Sequence, residues 1–107
     1  ADTYAGLLQQ HLGVAYAPED YLVATDGGFY TAQYFRAWCL EAQLKASLRS
    51  RFGEAWWEQP EAGAYMKSLW RYGQSLPGDP LAAHIAGGTL AGVSTAPLFD
   101  EVRRMLA

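Results

Sequence analysis

The feature that most constrains the fold is the stretch from Asp26-Gly27-Gly28 to Gly53. The aspartate and the glycine pair predict a turn, and the residues after them have the spacing of one long helix, about 29–52. Arg49 and Arg51 lie in its predicted last turn, where positive charge is favourable, and Gly53 can end the helix in left-handed backbone. We expect the other elements of the chain to pack around this helix.

One face of the predicted helix combines apolar side chains with polar ones. Its members recur at alternating spacings of four and three: Tyr30, Tyr34, Ala37, Glu41, Leu44 and Leu48. A phenol can donate a hydrogen bond to a developing oxyanion, so Tyr30 and Tyr34 are candidate substrate contacts. The alternative is amphipathic packing, in which the rings are buried and the hydroxyls reach water.

Two charged residues of the same helix, Arg36 and Glu41, are candidates for structural ion pairs. Glu41 lies four residues before Lys45, the favourable order for a pair within a helix, and Arg36 or an arginine on another helix is the alternative partner. Because Glu41 shares its face with core residues, we expect it to be paired and withdrawn from water. Its removal should then cost about 1–3 kcal/mol.

Shorter helices are predicted on both sides of the long one. They span about 3–12, 18–23, 60–74, 80–86 and 96–106. Asp79 and Pro80 together predict an N-cap and a first helical residue. We find no alternation typical of a strand. The sequence therefore predicts an all-α fold, a compact bundle of five or six helices around the central one, in a single domain over 1–107.

Composition indicates a chain that packs against something else. Half of the residues are hydrophobic, 14% are aromatic and only 18% are charged, against about 25% charged in typical soluble domains. So much aromatic surface is difficult to bury in a small domain, so we expect self-association through it. The net charge of −3 and the absence of a basic block argue against a nucleic-acid partner, and no apolar run is long enough for a membrane span.

The chain carries no metal or nucleophile motif. His11 and His84 have no ligand partner at helical spacing, so we expect no metal and no cofactor in this chain. Cys39 has no adjacent histidine, and a buried inert thiol is its expected role. We therefore expect no catalytic residue within the chain. With one cysteine and no visible secretory signal, the expected location is cytoplasmic.

A pattern of aromatics and glycines resembles a known family. Asp26-Gly27-Gly28-Phe29-Tyr30 is followed by Tyr34-Phe35-Arg36-Ala37-Trp38, and then by Arg51-Phe52-Gly53-x-x-Trp56-Trp57. This run resembles the C-terminal helical region of zinc metallopeptidases related to thimet oligopeptidase and oligoendopeptidase F. Two departures accompany it. The chain has no His-Glu-x-x-His, and Val23-Ala24-Thr25-Asp26 stands where those families often place a histidine.

The resemblance implies a helical module that is inactive alone and belongs to the C-terminal part of a larger peptide-hydrolysing protein. Zinc is then implied only for the full-length parent, and the missing N-terminal catalytic half is the implied partner. Tyr30 and Tyr34 match tyrosines that face the substrate cleft, while Arg36, Trp38 and Glu41 match positions for helix packing and ion pairing.

Two other functions stay open. One is a helical interaction or scaffolding domain that docks a partner protein or a second copy through its aromatic surface. The other is a small-molecule pocket formed among the tryptophans and tyrosines.

Overall fold

The computed structural model describes residues 1–24, 27–88 and 91–107. Its described residues form six α-helices and two short 3-10 helices, with no strand among them. The α-helices are α1 (Asp2–Leu12), α2 (Tyr21–Ala24), α3 (Tyr30–Phe52), α4 (Pro60–Trp70), α5 (Gly78–Ile85) and α6 (Ala96–Leu106). The all-α class is thus confirmed, and so is the long helix at 29–52. Asp26 of the predicted turn lies outside the described residues.

Helix ends follow the local chemistry of the chain. Gly13 and Gly53 stop α1 and α3 in left-handed backbone, with φ of 69° and 85°. The start of α3 differs from the prediction by one residue, because Phe29 itself has a φ of 58° and cannot be helical. The prediction that Asp79 is an N-cap is wrong. The helix already begins at Gly78, and the Asp79 carboxylate instead accepts a hydrogen bond from the distant Val93 N–H.

The chain divides into two units, residues 1–32 and 33–107. In the first, Pro18–Asp20 forms a 3-10 turn that leads into α2. Tyr4 and Tyr16 meet edge to face with their ring centroids 6.3 Å apart. No described side chain of this unit is buried. A single domain over 1–107 stays a prediction.

In the second unit, three helices and the segment before α6 lie against α3. Helix α4 contacts its C-terminal end through Tyr65, whose ring lies 4.7 Å from the Arg51 guanidinium carbon and 6.0 Å from the Phe52 ring. Helix α5 contacts α3 where the Ser47 hydroxyl donates to the Ile85 carbonyl. The buried hydrophobic core of this unit comprises Cys39, Ala42, Leu48, Ala62, Leu69, Ala82 and Ile85.

The buried part of α3 is not the predicted face alone. Leu48 is buried on that face and Leu44 is half-buried, but Tyr34, Ala37 and Glu41 are exposed. The remaining buried residues of α3 are Cys39, Ala42 and Gln43, which lie on the opposite side of the helix. Over residues 39–48, α3 is therefore covered from two sides.

Candidate functional site

The two predicted substrate contacts lie at the beginning of α3. Tyr30 is its first residue, and Tyr34 follows one turn later. Their exposed fractions are 58% and 49%, so neither ring is sealed in a core. Burial of both rings, the alternative considered from the sequence, does not occur.

Arg36 forms an ion pair with α5. Its Nη2 donates to Asp79 Oδ1 at 2.9 Å, and the same oxygen accepts from the Val93 N–H at 2.9 Å. The bond from Val93, followed by the one from Arg36, holds the pKa of the Asp79 carboxyl below its ordinary value. Both charged side chains are half exposed. Asp79 thus joins the segment before α6 to the first turn of α5.

Glu41 forms its ion pair within α3. Its carboxylate lies 2.9 Å from Lys45 Nζ, one turn further along the helix. The hydrogen bond to Glu41 is the main cause of a raised Lys45 pKa, and Glu101, at 3.8 Å, contributes. The Glu41 side chain is 57% exposed, so the prediction that it is withdrawn from water is wrong. The physical reason is that Glu41 lies between the coverage from α4 and α5 on one side and from α6 on the other.

A polar residue that the sequence analysis missed is buried on the second face of α3. Gln43 is 4% exposed, and its Oε1 accepts from the Ser94 N–H at 2.8 Å. Its Nε2 donates to the Gly92 carbonyl at 3.4 Å. The side chain therefore holds the backbone of residues 92–94 against the long helix. A glutamine flanked by small residues, Cys39, Ala42 and Ala46, was the available signal.

Helix α6 is held by a partly buried ion pair. Glu101 Oε1 accepts from Arg49 Nη2 at 3.3 Å, and the two side chains are 12% and 22% exposed. Arg49 also lies 3.7 Å from the exposed Glu54 carboxylate. This pairing turns one side of α6 toward α3 and orients the rest of the helix.

An open apolar groove of about 400 Å³ lies between α3, α4 and α5. Its apolar lining includes Leu40, Leu44, Met66, Leu69 and Trp70. Trp70 is 66% exposed. The groove includes one tryptophan and no tyrosine, so it is only partly the aromatic pocket considered from the sequence.

The second apolar surface is carried by α6. A smaller cleft of about 220 Å³ between α3 and α6 is lined by Trp38, Leu98, Val102 and Met105, among others. Trp38 and Met105 are largely exposed, and no residue of α6 is buried. Phe99 and Leu106 add to the exposed apolar surface of the helix.

Among the described residues, no group of three or more histidine, cysteine, aspartate or glutamate side chains is arranged to hold a metal ion. Nor does any helix within 1–24, 27–88 and 91–107 combine the length and the apolar character that crossing a membrane requires.

Comparison of the chain with protein-family models, with curated proteins and with solved structures finds no match.

Proposed function

We propose that this protein is a helical interaction module that self-associates through exposed apolar surface. The observation that carries the proposal is the number of large apolar side chains that the second unit leaves open to water. They are Tyr34, Phe35, Trp38, Trp57, Trp70, Tyr72, Phe99, Val102, Met105 and Leu106. Single exposed apolar residues are ordinary, but several large ones beside open clefts are typical of contact surfaces.

The two apolar surfaces of this unit suit a protein partner. Tryptophan, tyrosine and methionine are enriched where proteins contact each other, because each buries a large area in one side chain. Trp70 and Met66 lie at the groove, and Trp38 and Met105 lie at the cleft beside α6. Covering these side chains would remove from water the surface that the fold itself leaves exposed. We keep a cytoplasmic location as part of this proposal.

Sedimentation equilibrium from low micromolar to near millimolar concentration tests the proposal. We expect a reversible increase in average mass with concentration, and binding of a hydrophobic dye that decreases as association proceeds. Trp38→Ala and Trp70→Ala probe the two surfaces. Trp57→Ala is the matched control, because Trp57 is also 66% exposed but lines neither of them. A strict monomer over the whole range would refute the proposal.

A second candidate is that the chain is the C-terminal helical module of a zinc metallopeptidase-like protein, inactive on its own. The observation that favours it is the placement of Tyr30 and Tyr34, one turn apart and both exposed, directly after the Gly28-Phe29 turn. In this candidate the missing catalytic half supplies the zinc, and the two phenols contact a peptide substrate.

Activity and stability measured together test the second candidate. In the longer protein that it implies, Tyr30→Phe and Tyr34→Phe should each lower peptide turnover about 10- to 1000-fold, the scale of one lost oxyanion donor. In the isolated chain the same changes should alter the free energy of unfolding by less than about 0.5 kcal/mol, because exposed positions tolerate substitution. If the doubly substituted enzyme keeps full turnover, neither tyrosine hydroxyl contributes to catalysis, and this candidate loses its site residues.

A further inference from the structure

We infer that the cavity between α3, α5 and the start of α6 binds a small aliphatic carboxylate, and that the Arg51 guanidinium recognises its charge. The cavity has a volume of about 280 Å³ and is open to solvent. Ligand pockets commonly measure about 300–1,000 Å³, so this one suits a small molecule. The inference goes beyond the self-association proposed above and does not depend on it.

Arg51 differs from the other basic residues of α3 in its partners. Arg36, Lys45 and Arg49 each lie 2.9–3.3 Å from an acidic oxygen. Arg51 forms no such ion pair in the part of the chain that the structure describes, and its hydrogen bonds go to uncharged oxygens instead. A guanidinium without a carboxylate partner is a ready binding group for an anion, because its planar fork matches the two oxygens of a carboxylate.

The guanidinium of Arg51 is held in a defined position. Its Nε donates to Ser47 Oγ at 3.1 Å, and its Nη2 donates to the Ile85 carbonyl at 3.3 Å. The Tyr65 ring lies 4.7 Å from the guanidinium carbon. A guanidinium carries five N–H donors. These bonds use two of them, so among the described residues three donors are left for a ligand. Because the side chain is already ordered, ligand binding costs little further conformational entropy.

The rest of the lining favours a singly charged ligand with an apolar body. Arg51 is the only ionisable group among the lining residues that the structure describes. One guanidinium balances one carboxylate, whereas a phosphate monoester carries about −1.5 to −2 charges at neutral pH. Ala46, Ile85 and Pro97 supply apolar wall, and Ser50 adds a hydroxyl next to Arg51 in the chain. A short aliphatic acid therefore matches this lining better than a phosphate does.

The exposure of the site sets the expected strength. Arg51 is exposed, and ion pairs between exposed charges are weak because water screens them. The ligand is also small, so few of its atoms gain contacts. We therefore expect a dissociation constant on the order of 1 mM for a short aliphatic carboxylate.

Titration with isovalerate, followed by backbone amide chemical shifts in NMR spectra at neutral pH and constant ionic strength, tests the inference. We expect saturable shifts centred on lining residues such as Ser47, Ser50 and Ala86. Isovaleramide has the same apolar body without the charge, and inorganic phosphate has charge without the apolar body. Each should bind about tenfold or more weakly than isovalerate.

Variants of the lining assign the binding to Arg51. Arg51→Gln removes the charge and should weaken isovalerate binding about tenfold or more. Arg104→Gln is the matched control, because it removes the same charge at an exposed position of α6 outside the lining, and it should leave the affinity unchanged. Ala46→Leu keeps Arg51 but fills part of the cavity, so it should also weaken binding. Circular dichroism confirms that each variant retains its helices.

Several results would overturn the inference. One is the absence of saturable shifts at the lining residues up to about 50 mM isovalerate, far above the expected constant. Another is equal binding of isovaleramide or of phosphate, which would mean that the cavity does not select an aliphatic anion. A third is unchanged affinity in Arg51→Gln or in Ala46→Leu. Arg51 would then serve only to hold the end of α5. None of these results bears on self-association, which sedimentation measures separately.

Discussion

Two consecutive stretches of α3 show how differently one helix can be used. Residues 33–38 are all exposed, although they include Tyr34, Phe35 and Trp38. Residues 39–48 are almost entirely buried or half-buried, although two of their four buried members, Cys39 and Ala42, are small. The apolar character of a side chain therefore does not decide its burial here. What decides it is whether neighbouring elements can approach the helix closely, which small residues permit.

The buried stretch is covered from two chemically different sides. On one side, Leu44 lines the apolar groove that α3 shares with α4 and α5, and Leu48 is buried one turn further along the same face. On the other side, Gln43 binds backbone groups of residues 92–94, and Arg49 pairs with Glu101. The first contact is non-directional, whereas the second requires specific atoms in specific places. In the exposed stretch, Arg36 pairs with Asp79, while Phe35 and Trp38 stay 41% and 56% exposed.

The largest expected effect tests the apolar side. Leu48 is 1% exposed, so Leu48→Ala should lower the free energy of unfolding by about 2–5 kcal/mol through lost burial and a residual cavity. Urea denaturation followed by circular dichroism measures it. Leu22→Ala makes the same change at a side chain that is 73% exposed and should cost under about 0.5 kcal/mol. Equal costs for the two variants would contradict the burial described for α3.

The polar side should respond less strongly but more specifically. Gln43→Ala removes both hydrogen bonds to residues 92–94 and leaves the Ser94 N–H without its acceptor, at an expected cost of about 1–3 kcal/mol. Gln10→Ala, at an exposed position of α1, is the matched control and should change stability by less than about 0.5 kcal/mol. Faster amide exchange at Ser94 in Gln43→Ala is the specific sign of a lost hydrogen bond. Unchanged exchange would show that Gln43 does not hold this segment.

The apolar and the polar side of α3 also differ in how much of each the sequence could predict. The length of α3 and the bounds of α6 follow from local rules, because glycines stop helices and periodicity marks their apolar faces. Arg36 and Glu41 each form an ion pair, and Lys45, one of the partners that the sequence offered for Glu41, lies one helical turn away. Asp79 and Gln43 bind backbone groups 14 and 51 residues away. No local pattern contains such contacts, so Asp79 looked like an N-cap and Gln43 went unnoticed.

Acid pH provides a finer test of the segment before α6. The pKa of Asp79 is lowered from its ordinary value of 3.8. The carboxylate therefore stabilises the fold fully above that pH, and the contribution is lost as the pH falls through the lower folded-state pKa. We expect Asp79→Asn to be less stable than the wild type near neutral pH and to approach it in acid. Arg36→Gln should keep more of this pH dependence than Asp79→Asn, because the bond from Val93 is the larger cause of the lowered pKa. A constant difference between Asp79→Asn and the wild type at every pH would contradict this account.

The smallest expected effect belongs to Glu41, the one exposed residue of the stretch 39–48. The sequence alone predicted a cost of about 1–3 kcal/mol for Glu41→Ala, on the premise of a carboxylate withdrawn from water. In the structure the side chain is 57% exposed and its partner Lys45 lies on the same helix. Such pairs contribute about 0.3–0.5 kcal/mol. Glu41→Ala should therefore cost no more than about 0.5 kcal/mol at low ionic strength, and less in high salt, where the pair is screened. Glu41→Gln should lie between the wild type and the alanine variant. A salt-insensitive loss well above 1 kcal/mol would restore the original prediction, because only a carboxylate shielded from water escapes screening.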